Sequence, residues 1–131
     1  MASELILIVE DNDKNRKLVR DVLQYKGYRT EESETAEEGI RLAQESRPAL
    51  ILMDIQLPGM NGIEALGHLR ADPRTRDIPV IAVTASAMTH DRQKIMAAGF
   101  DAYQAKPINV KEFTEAVRRM LDRAAGPGSP A

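Results

Sequence analysis

Four short apolar runs, each halted by a polar residue, constrain this chain more than any other feature. Leu5-Ile6-Leu7-Ile8-Val9 stops at Glu10-Asp11, and Leu50-Ile51-Leu52-Met53 stops at Asp54. Val80-Ile81-Ala82-Val83 stops at Thr84, and Ala102-Tyr103-Gln104-Ala105 at Lys106-Pro107. Short unbroken apolar runs bounded by turn residues read as strands covered on both faces, the pattern of a parallel sheet. In open α/β sheets, ligands bind beyond the carboxyl ends of such strands. Glu10, Asp11, Asp54, Thr84 and Lys106 therefore converge on one rim.

Helical patterns fill the gaps between the runs. Asn12 or Asp13 caps a helix whose apolar stripe is Leu18, Val19, Val22 and Leu23, and Gly27 ends it. Tyr28 to Glu34 is polar and reads as a weak edge strand. Thr35 caps the next helix, with Glu38 as a capping-box partner and Ile40, Leu42 and Ala43 inward, and Pro48 ends it. The loop Leu57-Pro58-Gly59-Met60-Asn61-Gly62 opens a helix bearing Ile63, Leu66 and Leu69, which ends near Asp72-Pro73. A further helix spans Asp91 to Ala98 before Gly99. The last carries Val110, Phe113, Val117, Met120 and Leu121 at helical spacing.

Five strands alternating with five helices give a doubly wound, three-layer (βα)5 sandwich. The polar second strand belongs at an edge and the first and third belong inside, so the order is 2-1-3-4-5. The switch point then lies between strands one and three, flanked by Glu10, Asp11 and Asp54. Residues 1–123 form one domain. Residues 124–131, rich in Gly, Pro and Ser, read as a disordered tail or a truncated linker.

Composition removes several function classes. A net charge of −2 gives no basic footprint for nucleic acid, and aromatic residues, at 4%, are too few for a stacking platform. No apolar stretch is long enough to span a bilayer, and Met1-Ala2-Ser3-Glu4 lacks the basic region of a secretory signal. The absence of cysteine fits a reducing cytoplasm and removes thiolate metal sites. The expectation is a cytoplasmic protein with no nucleic-acid or membrane partner.

Three carboxylates at adjacent strand ends repel one another unless a cation sits among them. An all-oxygen donor set suits a hard ion, and Mg²⁺ takes one or two carboxylates plus water and phosphate oxygens. Taken alone, Glu10 and Asp11 serve equally well as acids at a helix start. Asp54 follows four apolar residues, and Pro58-Gly59 beyond it leaves the side chain open to solvent. A carboxylate beside Mg²⁺ can act as a nucleophile toward phosphorus. Phosphoryl transfer needs mainly positioning and charge neutralisation, which a lysine ammonium such as Lys106 can supply. Thr84 can donate its hydroxyl to a phosphoryl oxygen, although strand propensity alone also explains it.

These residues resemble the response-regulator receiver domains of the CheY-like family, over essentially all of Glu4 to Arg123. The matching elements are Glu10-Asp11, Asp54 through Pro58-Gly59-Met60-Asn61-Gly62, Thr84-Ala85 and Lys106-Pro107. The 2-1-3-4-5 order is that family's own, so it is not independent of the resemblance. Met53-Asp54-Ile55-Gln56-Leu57-Pro58 and Ala82-Val83-Thr84-Ala85 are similar to single-domain bacterial receivers of the DivK type.

The resemblance implies a role for each residue. Asp54 accepts a phosphoryl group from a histidine kinase or a histidine phosphotransfer protein. Asp11, Asp54 and the Gln56 carbonyl ligate Mg²⁺, with Glu10 acting through water. Lys106 bridges to the phosphoryl group, and the Lys106-Pro107 bond is cis. Thr84 and Tyr103 form the switch, and the fourth helix, fifth strand and fifth helix form the readout surface. On that last helix Lys111, Glu115, Arg118, Arg119 and Arg123 lie away from the apolar stripe. Gln56 and Ser86 stand where residue identity tunes phosphate lifetime. The protein would turn over no separate substrate. Met88, Met96 and Met120 read as core filler, and His68 and His90 form no phosphohistidine site.

Other functions share parts of this pattern. A haloacid-dehalogenase-like phosphatase needs Asp-x-Asp after its first strand, whereas Asp54 follows the third run and Gln56 stands two positions on. A flavodoxin-like cofactor binder needs a Ser/Thr/Gly loop with free amides, whereas this chain places Glu10-Asp11-Asn12-Asp13 there. A receiver-like scaffold that binds partners without phosphorylation, or the receiver segment of a larger hybrid kinase or regulator, shares the whole pattern.

Overall fold

The computed structural model describes residues 4–85 and 89–125. Strands β1 (Leu5–Val9), β2 (Arg29–Ser33), β3 (Leu50–Asp54), β4 (Val80–Thr84) and β5 (Ala102–Ala105) alternate with five helices. These are α1 (Asp13–Tyr25), α2 (Ala36–Ser46), α3 (Gly62–Ala71), α4 (Thr89–Ala97) and α5 (Val110–Ala125). The strands form one parallel sheet in the order β2-β1-β3-β4-β5. The expected architecture and switch point are both present.

Alternation along each strand divides the core into two layers. Leu7, Val9, Ile51, Met53, Val80 and Ala82 meet α2, α3 and α4 on one face through Ala43, Leu66, Leu69 and Ile95. Ile6, Ile8, Leu50, Leu52, Ile81 and Val83 meet α1 and α5 on the other, through Val19, Leu23, Phe113, Val117, Met120 and Leu121. Burying a Leu, Ile or Phe side chain stabilises by about 1.5–3 kcal/mol, so these two layers supply most of the driving force. β2, with Arg29, Thr30 and two glutamates, pairs only with β1 and takes the edge.

Helix ends follow local chemistry. Asn12 caps α1 by accepting from the Asn15 amide, and Gly27 follows the helix at φ +95°, where a side chain would be strained. Thr35 caps α2 by accepting from the Glu38 amide, but the reciprocal half of the expected capping box is absent. The Thr35 amide donates instead to Ser33 Oγ. The complete box belongs to α3, where the Asn61 and Glu64 side chains each accept from the other's amide.

Three apolar readings are corrected. Leu18 is 44% exposed at the margin of the α1 stripe, and Val110, the first residue of α5, is 46% exposed before the helix turns inward. Met96 is 39% exposed on α4 and fills no core, whereas Met120 is buried. α5 continues through Ala125. Residues 126–131, Ser86 and Met88 lie outside the described residues, as does the side chain of His90.

Candidate functional site: an acidic cluster at the carboxyl rim

β1, β3, β4 and β5 end in Val9, Asp54, Thr84 and Ala105, so each delivers its next polar group to one rim. Glu10 extends β1 by one backbone bond, from its amide to the Ser33 carbonyl. Carboxylate oxygens of Glu10, Asp11 and Asp54 lie within 4.8 Å of one another. Asp11 is exposed, whereas Glu10 and Asp54 are 4% and 3% exposed. The expectation that Pro58-Gly59 leaves Asp54 open is therefore wrong. The loop after β3 folds back instead: Leu57 is buried, and the Gly62 amide donates to the Ile55 carbonyl. A Cβ on Gly62 would stand 2.5 Å from the Asp54 carbonyl oxygen and 2.9 Å from Ile55 Cα. Only glycine lets α3 start this close to the Asp54 backbone.

Lys106 joins the two buried acids. Its Nζ lies 2.9 Å from Glu10 Oε1 and 3.1 Å from Asp54 Oδ2. The other Asp54 oxygen, Oδ1, accepts from the Gln56 amide at 2.9 Å. The Lys106 amide donates to the Thr84 carbonyl at 2.8 Å, tying the start of the last loop to β4, and the Lys106-Pro107 bond is cis. Burial is the largest influence on the Glu10 carboxyl and raises its pKa; Lys106 opposes this and the nearby Asp54 adds to it. Burial disfavours the Lys106 ammonium, but its bond to Glu10 and the charges of Asp54 and Glu10 outweigh this, so its pKa is raised. With the acids ionised, three carboxylates against one ammonium leave two negative charges at the rim. That imbalance and the all-oxygen donor set fit a hard divalent cation.

Thr84 is 1% exposed at the end of β4. Tyr103 on β5 is half-buried, and the Arg92 guanidinium of α4 sits 5.1 Å from its ring centroid. Lys111, Glu115, Arg118, Arg119 and Arg123 are exposed on α5, and Arg118 reaches Glu4, Asp122 and the Tyr28 hydroxyl. His68 is exposed on α3. A cavity of about 90 Å³ beside the site is lined by Glu10, Leu18, Val83, Lys106, Pro107 and Ile108, among others.

Sequence reading did not single out Gly62 as a packing requirement, Arg92 over the tyrosine, or Arg16, whose Nη1 donates to the Glu10 carbonyl at 2.9 Å. A glycine opening a helix directly after an Asn cap could have signalled the first. The other two contacts join neighbouring elements, six and eleven positions apart, whose relative placement only the fold sets.

Known proteins place this geometry. The response regulator receiver domain family matches residues 6–118. The polar-differentiation response regulator DivK of Brucella anthropi is 47% identical over 119 residues, covering 91% of this chain and 97% of that protein. Its Brucella ovis counterpart is 46% identical over the same span. Among solved structures, the receiver domain of a Pseudomonas aeruginosa sensor histidine kinase, with a magnesium ion coordinated in its active-site cleft, superposes with a TM-score of 0.85. It is 35% identical, covering 92% of this chain and 98% of that one. Vibrio cholerae chemotaxis response regulator CheY4 also gives a TM-score of 0.85, at 25% identity, covering 91% and 99%. With its fold, its acidic rim and its sequence in agreement, the chain belongs to the response regulator receiver domain family of two-component signalling.

Proposed function

We propose that the protein is a phosphorylation-controlled switch in which Asp54 accepts a phosphoryl group from a phosphohistidine. The donor is a histidine kinase or a histidine phosphotransfer protein. The observation that carries this reading is the buried Asp54 carboxylate, which shares one lysine with Glu10 inside an acidic cluster short of positive charge. In the transfer, an Asp54 oxygen forms a bond to phosphorus as the phosphorus–nitrogen bond of the donor breaks. The electron pair stays on the imidazole nitrogen, and Asp54 becomes an acyl phosphate.

Asp11, Asp54 and the Gln56 carbonyl would hold Mg²⁺, with Glu10 completing the acidic shell. The ion supplies charge neutralisation for the phosphoryl oxygens. Lys106, already 3.1 Å from Asp54, turns its ammonium to the transferred group. Thr84 donates its hydroxyl there, and Tyr103 follows into the vacated space, changing the surface formed by α4, β5 and α5. A downstream protein reads that surface. No separate substrate is turned over, and the place of action is the cytoplasm. Among the described residues, no helix is long and apolar enough to cross a membrane.

Intact mass after incubation with Mg²⁺ and acetyl phosphate tests the assignment. One added phosphoryl group is expected in the wild type, and none without Mg²⁺ or in Asp54→Asn. Equal addition to Asp54→Asn would remove Asp54 as the acceptor. No addition to folded wild type, even from a histidine-phosphorylated partner, would favour a scaffold that binds without phosphorylation.

A further inference from the structure

Arg16 lies one turn into α1 and is 14% exposed, well covered for an arginine. Its guanidinium is shared among groups from three segments. Nη1 donates to the Glu10 carbonyl at 2.9 Å, and Nε donates to Glu32 Oε1 on β2 at 3.1 Å. Nη2 donates to the Asp13 side chain and lies 3.7 Å from Glu34 Oε2. Glu32 is held on its other side by Arg20. The Glu10 carbonyl belongs to a buried residue just past the end of β1, where backbone oxygens require a partner. The Glu10 carboxylate in turn accepts from the Asn12 amide, closing the short turn that carries Asp11.

We propose that Arg16 is a positioning residue for the metal-binding acids, fixing the Glu10–Asp11 turn against β2 so that both carboxylates face Asp54. The inference rests on the Mg²⁺ reading above and adds a residue that touches neither the ion nor the phosphoryl group. Its fork geometry is essential to the role. A planar guanidinium can serve a carbonyl and two carboxylates in different directions, whereas a lysine ammonium is a point charge on a flexible stem.

Charge and position predict opposite signs, which makes the role testable. Arg16 is a cation near a cation site, so removing its charge alone should tighten Mg²⁺ binding. Loss of an outer-shell partner should instead weaken it, typically by tenfold or more. Mg²⁺ dissociation constants are measured by titration calorimetry on the full chain for wild type, Arg16→Lys and Arg16→Ala, with thermal unfolding recorded in EDTA. The expected result is a Kd raised about tenfold in Arg16→Ala and about threefold or more in Arg16→Lys, which keeps the charge. An arginine with only a structural role would lower the unfolding temperature and leave the Kd of the folded protein unchanged. Should Arg16→Ala fail to fold, Arg16→Lys carries the same test. Unchanged or tighter binding in Arg16→Lys overturns the positioning role alone. A wild type that binds no Mg²⁺ overturns the metal reading beneath it.

Discussion

At the amino ends of β4 and β5, Arg70 of α3 donates to the carbonyls of Arg76, Ile78 and Gly99 and pairs with Asp101 at 2.8 Å. Asp101 also accepts from the Val80 amide, so Arg70 and Asp101 each have an opposite charge and further hydrogen bonds. At the carboxyl ends of the same sheet, Lys106 is one ammonium among three carboxylates. Cleft size points the other way: about 380 Å³ around Arg70, Arg76, Asp101 and Arg123, against about 90 Å³ beside Lys106. The difference sets a matched ion pair beside the larger cleft against an unbalanced acidic cluster beside the smaller one. An unpaired charge is costly to bury, and a bound cation would offset that cost at the carboxyl rim.

Removing each rim's cation breaks the comparison most directly. Lys106→Met strands Glu10 and Asp54 together, and we expect about 3 kcal/mol of lost stability in EDTA, read from urea unfolding. Mg²⁺ at a hundred times its Kd should restore about 2.7 kcal/mol. A variant as stable as wild type in EDTA would mean that Lys106 does not hold the acids in the folded state. Arg70→Ala orphans several acceptors and should cost about 2 kcal/mol relative to wild type, a gap that Mg²⁺ leaves unchanged because it stabilises both proteins equally, with phosphoryl uptake from acetyl phosphate retained. A gap to wild type that closes in Mg²⁺ would erase the distinction between the rims.

The smallest effect concerns Asp72, which caps the carboxyl end of α3 on the amino-rim side. The Arg74 side chain and amide hold its carboxyl down to about 2, below its ordinary value of 3.8. Because the folded value is depressed, the stabilisation is fully present above about pH 4 and fades as the pH falls toward 2. Wild type should exceed Asp72→Asn in stability at neutral pH, and the gap should close over that window. A gap independent of pH would assign Asp72 a role other than its charge.

Much of this was legible in the chain because buried parallel strands leave unbroken apolar runs, and each run's first polar residue marks the rim. Asp54, Glu10 and Lys106 needed only that rule and the strand order. The burial of Asp54 was hidden, because Pro58-Gly59 suggests an open loop while Gly62 draws that loop back onto the strand. Leu18 fits a helical stripe by spacing, yet it lies beside the cavity formed with Pro107 and Ile108, a neighbourhood only the fold creates. Arg16 reads as one cation on a charged helix until β2 brings Glu32 beside it.

The layer formed by α1 and α5 has a consequence for how the protein is made. Phe113, Val117 and Leu121 complete the cover that α1 begins on one face of the sheet, and Arg118 ties α5 back to Glu4 at the start of β1. Every strand leaves the ribosome before this cover does. During translation the part of that face that α1 does not cover, with Leu50 and Leu52 on β3, therefore stays exposed until α5 emerges, an interval in which chaperones have an apolar surface to hold.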